Sequence, residues 1–458
     1  MNLWNTIFTH SKSGRVLSSM VSVGGLSLVV SIAAFVKELV VAHQFGTSDA
    51  MDAFLIAFLL PSLAMNILAG AFQAAFIPEY ISVREQQGKV QAMQLFSNVL
   101  YFYLILLIGF SVLLLLASPL LIPILGSSFN PGKIALSQSL FLILIPILLL
   151  TGLIKAWGSL LNAGEHFRLS AISPMITHAA AILVLLGLGG VWGIHALASG
   201  IIFGCFLESS VFIYTMRSQG YLFFPRFNAV DDSTRRIVRQ YIAMILGSLF
   251  MGSTTFVDQA MAAMIGPGSV AALGYGNKGT LFIVGVSSIG LSTVILPHFS
   301  KQVAMTDWKA VRQTMLGYSR LIFIVSVPFT LGLIYFSEPI IRLVFERGAF
   351  TNTDTQLVGQ IQAFYFPQIP FYILGILGVR LLSALGKNQI LMIIGAVNLV
   401  ANVIGNYVFM QYWGLAGIAL STSIVYVLSM FLTFLSLRKQ LRNRNNLSEV
   451  KDGRKRLP

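Results

Sequence analysis

Charge is scarce in this 458-residue chain: only 10% of its residues are Asp, Glu, Lys or Arg, and only 16 are acidic. A soluble chain of this length carries about a quarter, so an all-round water-facing surface is excluded. The single cysteine, Cys205, rules out an internal disulfide and leaves the redox compartment unreadable. There is no Walker lysine loop, no H-E-x-x-H pair and no G-x-S-x-G elbow. The six histidines are scattered without ligand spacing, so no metal site is expected. Catalysis is not expected either.

What abounds is apolar: 56% of residues are hydrophobic and the mean hydropathy is positive. With ~20 apolar residues needed to cross a bilayer, about twelve spans are predicted. They fall at 16–43, 50–77, 93–118, 137–162, 168–189, 193–216, 238–264, 269–297, 314–337, 356–384, 388–410 and 414–437. Pro61, Gly70, Pro146, Pro174, Pro328, Pro367 and Pro370 lie inside them, where neighbouring helices re-satisfy the backbone. The first run follows Lys12 and Arg15 and exceeds the roughly 7–15 residues of a signal-peptide core, so it reads as a retained helix.

The net charge of +14 does not point to nucleic acid, because the basic residues sit in short connections and in the tail 438–458 rather than on one soluble face. With the N-terminus inside, 22 Lys and Arg fall in cytoplasmic segments, against three (Lys133, Arg342 and Arg347) outside. That asymmetry predicts both termini in the cytoplasm and an even number of spans.

The second half repeats the first. Trp192-Gly193-Ile194 returns as Trp413-Gly414-Leu415 and Leu160-Leu161-Asn162-Ala163 as Leu381-Leu382-Ser383-Ala384, both at an offset of 221. Ser118-Pro119-Leu120-Leu121 returns as Glu338-Pro339-Ile340-Ile341 at 220, and Ile77-Pro78-Glu79-Tyr80 as Leu296-Pro297-His298-Phe299 at 219. Six spans per copy predict two parallel lobes around a central cavity, as in many secondary transporters. The expected divisions are a lobe at 1–216, a cytoplasmic linker at 217–240, a lobe at 241–437 and the basic tail.

Ionisable residues inside spans are costly and mark functional positions. Here they are Lys37, Glu38, Asp52, Lys155, Glu208, Asp258, Lys278, Arg320 and Arg380. Asp258 lies 220 positions after Glu38, so the two acids are expected to face one another across the cavity, with Lys37 and Lys278 at similar depth. Arg320, Arg380 and Lys155 are close enough to cytoplasmic ends to snorkel. Structural readings stay open for the others. Lys37 with Glu38, or Lys278 with Asp258, would be an interhelical ion pair. Glu208 would be satisfied by Ser209, Ser210 or a neighbouring hydroxyl. Asp52 would sit at a helix start, its carboxylate accepting from free N–H groups.

The run Phe35-Val36-Lys37-Glu38-Leu39-Val40-Val41-Ala42-His43-Gln44-Phe45-Gly46, the stretch Asp52 to Pro61, and Gly70-Ala71-Phe72 to Pro78 resemble the lipid II flippase (MurJ or MviN) family. That family belongs to the multidrug/oligosaccharidyl-lipid/polysaccharide exporter superfamily. Leu291 to Pro297 and Glu346-Arg347-Gly348-Ala349-Phe350-Thr351 extend the resemblance, which runs from about residue 15 to 437. Asp52 matches the family's acid. Lys37-Glu38 stands where the family has Arg and an acid, and Tyr275-Gly276-Asn277-Lys278 stands for Tyr-Ala-Asp-Arg. Two further family arginines are replaced by neutral residues, near Ser31 and Met65-Asn66.

The resemblance implies an all-α bacterial inner-membrane transporter that moves a polyprenyl-pyrophosphate-linked saccharide to the outer leaflet by alternating access. The cargo would be a lipid II-like peptidoglycan precursor or a polysaccharide repeat unit. It also implies substrate contacts at Lys37, Lys278, Asp52 and Asn277, with Glu38, Asp258 and Glu208 as charge partners or ion-coupling groups. No cofactor is expected; Na+, H+ and the membrane potential are the candidate energy sources. Membrane lipids and envelope-synthesis enzymes are the implied partners. Two other readings remain open from sequence: a drug/cation antiporter of the same superfamily, and a non-transporting envelope-synthesis scaffold.

Overall fold

The computed structural model describes residues 12–220 and 232–454, and among these every regular element is a helix. In chain order they are α1 (Lys12–Phe45), α2 (Asp49–Gln87), α3 (Lys89–Leu125), α4 (Pro131–Leu144), α5 (Ile147–Ala163), α6 (Phe167–Ile172), α7 (Pro174–Trp192) and α8 (Ile194–Ser218). Then follow α9 (Asp232–Ala262), α10 (Ser269–Ala304), α11 (Trp308–Tyr335), α12 (Ser337–Phe345), α13 (Asn352–Tyr365), α14 (Gln368–Ala384) and α15 (Asn388–Arg454). Among the described residues, nine helical stretches are long and apolar enough to cross a membrane. The last of them spans 55 residues and bends at Gly414, so it accounts for two expected crossings. The expected spans 238–264 and 269–297 coincide with α9 and α10.

The chain divides into two compact units. The first contains residues up to Gly252 together with Arg347–Phe350; the second contains Ser253–Glu346 and the chain from Thr351 onward. The division falls inside α9. Of the expected linker 217–240, residues 221–231 lie outside the described residues and Asp232 onward is helix.

Within the first unit, α2 is the central element. It packs on α3, α4 and α5, and 61% of its most apolar window is buried, against 11% for α1. Its inward residues include Ala53, Ile56, Ala57, Ala75 and Phe76, all fully enclosed. Phe72, Phe76, Tyr80, Phe96, Tyr103 and Tyr241 form one aromatic cluster, and the Tyr241 hydroxyl donates to the Leu68 carbonyl at 3.0 Å. The Arg347–Phe350 segment is built into this unit: Ala349 N–H donates to the His43 carbonyl at 2.8 Å, and Phe350 is buried.

The second unit centres on α14, which packs on α10, α11 and α15. Phe299, Val311, Leu377, Leu381, Leu382 and Leu437 are fully enclosed there. Elsewhere, apolar side chains such as Leu116, Leu183, Phe329 and Ile404 stand exposed, as the lipid-facing surface of a membrane bundle requires.

The duplication reappears in the backbone. Pro146 and Pro367, 221 positions apart, interrupt helices at equivalent points, between α4 and α5 and between α13 and α14. Both prolines, expected to be tolerated inside single spans, break the helix locally, and each stretch, Pro131–Ala163 and Asn352–Ala384, remains one membrane-length run. Gly193 has φ 53, ψ −134 and Gly414 has φ 54, ψ −130, a region open to glycine but not to residues with a Cβ. Helices α5 and α14 both end in a left-handed residue, Glu165 (φ 63) and Gly386 (φ 70). The following N–H reaches back in each, from His166 to the Leu161 carbonyl and from Lys387 to the Leu382 carbonyl, which is the Schellman closure.

Helices α7 and α8 form a tight pair because Gly200 and Gly204 let the backbones touch, the small-x-x-x-small mode of bilayer packing. A Cβ at Gly204 would stand 2.7 Å from the Cα of Thr177, whereas one at Gly187 would meet nothing within 4 Å. Gly204→Val is therefore expected to lower stability by about 1–3 kcal/mol, read as a lower thermal midpoint of the detergent-solubilised protein. Gly187→Ala should leave that midpoint in place.

Candidate functional site

On α1, Lys37 Nζ stands 2.8 Å from Glu38 Oε1, and each side chain keeps just under a fifth of its surface exposed. The pair expected between helices is thus made by consecutive residues of one helix. His178 on α7 lies within electrostatic reach of both.

The start of α2 shows how the chain positions a buried charge. Ser48 caps the helix, its hydroxyl accepting from Met51 N–H, so the cap role considered for Asp52 belongs to Ser48. Asp52, one turn in, has no exposed surface, and its Oδ2 accepts from Lys133 Nζ at 2.8 Å. The same ammonium reaches Asp49 Oδ1 at 2.6 Å and sits 3.9 Å from the centre of the Phe129 ring. Lys133 lies in the first turn of α4, whose start is fixed by the Asn130 side-chain oxygen accepting Lys133 N–H at 2.8 Å. Counted from sequence as an outer-loop charge, Lys133 instead has a side chain only 5% exposed. Asp52, expected as a substrate contact, is enclosed by this pairing. Its carboxylate holds Lys133 and through it ties α2 to α4.

Glu208 on α8 is buried and accepts from the Thr177 hydroxyl at 2.7 Å, the neighbouring-hydroxyl arrangement rather than one with Ser209 or Ser210. Its repeat counterpart is Ser429, and that of Thr177 is Asn398; these two also bond, with Asn398 Nδ2 donating to Ser429 Oγ at 2.9 Å. One helix-to-helix contact therefore carries an acid in the first copy and a neutral pair in the second.

In the second unit, Asp258 on α9 is expected to face a cavity and instead turns into its own bundle. It is 6% exposed. Asn402 Nδ2 (2.9 Å), Asn406 Nδ2 (2.7 Å) and the Thr422 hydroxyl (3.0 Å), all on α15, donate to its carboxylate. None of its partners is Lys278. The other amide atoms, Asn402 Oδ1 and Asn406 Oδ1, are buried with no hydrogen-bond partner. Rotation of either amide would turn its oxygen inward, giving a carboxylate, amide oxygens and a hydroxyl around one point. That is the hard-oxygen donor set that alkali and alkaline-earth cations take. Among the described residues, no group of three or more His, Cys, Asp or Glu could hold a metal, so a transition-metal centre does not fit. Asn277 and Lys278 lie half-buried on α10, next to the enclosed Tyr275.

A family model described as lipid II flippase MurJ matches residues 41–452. The chain belongs to this family. It is 26% identical over 429 residues to a probable lipid II flippase MurJ of Buchnera aphidicola, covering 92% of this chain and 83% of that one. With the lipid II flippase MurJ of Burkholderia cenocepacia the identity is 25%, covering 93% and 84%. Among solved structures, a lipid II flippase MurJ in an inward closed conformation superposes with a TM-score of 0.79 at 22% identity, covering 93% of this chain and 90% of that one. An inward-facing multidrug resistance MATE family transporter of the MOP superfamily gives 0.75 at 13% identity, covering 93% and 99%. Both likenesses show the fold, an all-α multi-pass membrane architecture. Lipid II flippase MurJ is a transport family, so the chain is not an enzyme.

The Lys133 node gives a stability test. Removing one partner of a buried ion pair costs about 3–5 kcal/mol, while replacing the whole pair by apolar groups is close to neutral. Lys133→Met is therefore expected to destabilise the purified protein strongly and Asp49→Asn only slightly, since Asp49 is 54% exposed. Lys133→Met with Asp52→Leu should recover most of the loss, as measured by thermal unfolding.

Proposed function

We propose that the protein carries a polyprenyl-pyrophosphate-linked saccharide, a lipid II-like peptidoglycan precursor, from the inner to the outer leaflet of a bacterial inner membrane by alternating access. The observation that carries this reading is the match to the lipid II flippase family over residues 41–452. The intramembrane cations support it. Lys37 and Lys278 supply compact ammonium charges with three donors each, suited to pyrophosphate oxygens, and Asn277 adds a neutral donor and acceptor. Glu38, 2.8 Å from Lys37, holds that ammonium in place until substrate arrives. Asp52 acts through Lys133 rather than on the substrate.

Energy enters, in this proposal, through a cation taken up at Asp258, whose oxygen-rich surroundings suit Na+. Glu208 is the second candidate coupling acid. The excess of Lys and Arg in alternate connections supports cytoplasmic termini. Enzymes that build or polymerise the precursor are the partners this activity calls for.

Vesicles reconstituted with the full chain and a fluorescent lipid-linked saccharide test the reading. Wild type should move the lipid, and Lys37→Ala and Lys278→Ala should slow it by roughly tenfold or more, the weight of one lost charge-assisted contact, while still inserting. Unchanged transfer by Lys278→Ala would remove that residue from the site, and no transfer by wild type of either a peptidoglycan or a polysaccharide precursor would overturn the reading. Asp258→Asn should abolish any acceleration by an inward Na+ gradient; a wild type indifferent to that gradient would sink the coupling role.

A further inference from the structure

Within the first unit, a cavity of about 430 Å³ opens beside the turn between α5 and α6, within the ~300–1,000 Å³ range of small-molecule sites. Its walls include Glu165 and His166 from the turn that follows α5, Arg168 of the short helix α6, Thr215 and Gln219 at the end of α8, and Val23 of α1. Glu165 and Arg168 bring opposite charges to one chamber without neutralising each other. Among the described residues, no ion pair or side-chain hydrogen bond engages Glu165, His166 or Arg168.

The backbone adds a second, independent observation. Glu165 occupies the left-handed closing position of α5 at φ 63, a conformation that disfavours any residue with a Cβ. The other copy of the fold makes the same turn with Gly386 at φ 70. The turn is therefore built adequately by glycine, and the glutamate stands there against local preference. Strained residues of this kind concentrate at ligand clamps. Glu165, His166 and Arg168 are all exposed and line the mouth of this cavity, at the junction between the membrane-length stretches Pro131–Ala163 and Phe167–Trp192, where headgroups meet water.

We propose that this cavity is a binding site for a zwitterionic phospholipid headgroup, with the phosphate taken by Arg168 and His166 and the ammonium by Glu165. Guanidinium is the side chain best shaped for phosphate oxygens, and a primary ammonium makes charge-assisted bonds to carboxylate. An anionic headgroup would leave Glu165 without a partner and facing like charge. None of Lys37, Lys278 and Asp258 lines this cavity, so the proposal concerns a resident membrane lipid and not the transported one.

The test is lipid retention by the purified full chain, measured by native mass spectrometry after exchange into phosphatidylethanolamine, phosphatidylglycerol or a mixture. Wild type is expected to retain phosphatidylethanolamine in preference. Glu165→Gln should erase that preference, by roughly tenfold, while leaving phosphatidylglycerol binding in place; Arg168→Gln should weaken both lipids. Glu165→Gly, which relieves the strained turn, should raise the thermal midpoint yet still lose the preference, so a folding defect cannot mimic the result. Equal retention of both lipids by wild type, or an unchanged preference in Glu165→Gly, overturns the proposal. Competitive displacement of the phospholipid by a lipid-linked saccharide would also overturn it, by assigning the cavity to the substrate. These readouts involve no transport, so their failure is distinguishable from failure of the flippase reading.

Discussion

Hydrocarbon offers no water to a charge, and the buried ionisable groups of this chain, Asp52, Lys133, Glu208 and Asp258, are each placed against partners by that constraint. The ammonium of Lys133 is tolerated because two carboxylates and an aromatic face surround it. The carboxylate of Asp258 is tolerated because three side chains on one helix point their donors at it. Lys37 and Glu38 neutralise each other while keeping some surface open. Removing any of these partners would turn a satisfied group into an expensive one, so the Lys133–Asp52 pair and the Asp258 contacts tie together the helices that carry them.

The same constraint divides labour between the copies. The last two helices of each half meet at one equivalent contact, Thr177 with Glu208 and Asn398 with Ser429. Repeat counterparts of Asn402, Asn406 and Thr422 in the first half are Ala181, Leu185 and Ile201, so the polar nest around Asp258 has no twin. The first unit has a buried Lys–Asp node and a half-open Lys–Glu pair; the second has an oxygen-rich pocket. Duplicated helices thus retain their packing while their chemistry has diverged.

Much of this was legible in the chain. The offset of 221 between Trp192-Gly193 and Trp413-Gly414 pointed to equivalent positions in the two copies, and the structure gives both glycines the same backbone conformation; the equivalence of the breaks at Pro146 and Pro367 emerged only from the structure. The role of Lys133 was not anticipated, although Asn130-Pro131 announces a helix start and so places Lys133 in a first turn. What hid it was distance: its carboxylate partners lie more than eighty residues earlier. The partners of Asp258 were hidden for the same reason, about 150 residues away, although Asn402 and Asn406 stand four apart on one helical face. Periodicity reveals faces, and only three-dimensional packing reveals which faces meet.

The turns at Gly193 and Gly414 reverse the chain within a single residue, without any intervening loop. Each final hairpin is thus a sealed elbow that offers no slack for a protease to grip or for an inserted epitope to occupy. Its two arms must enter the bilayer together, so the length of one arm dictates the depth of the other.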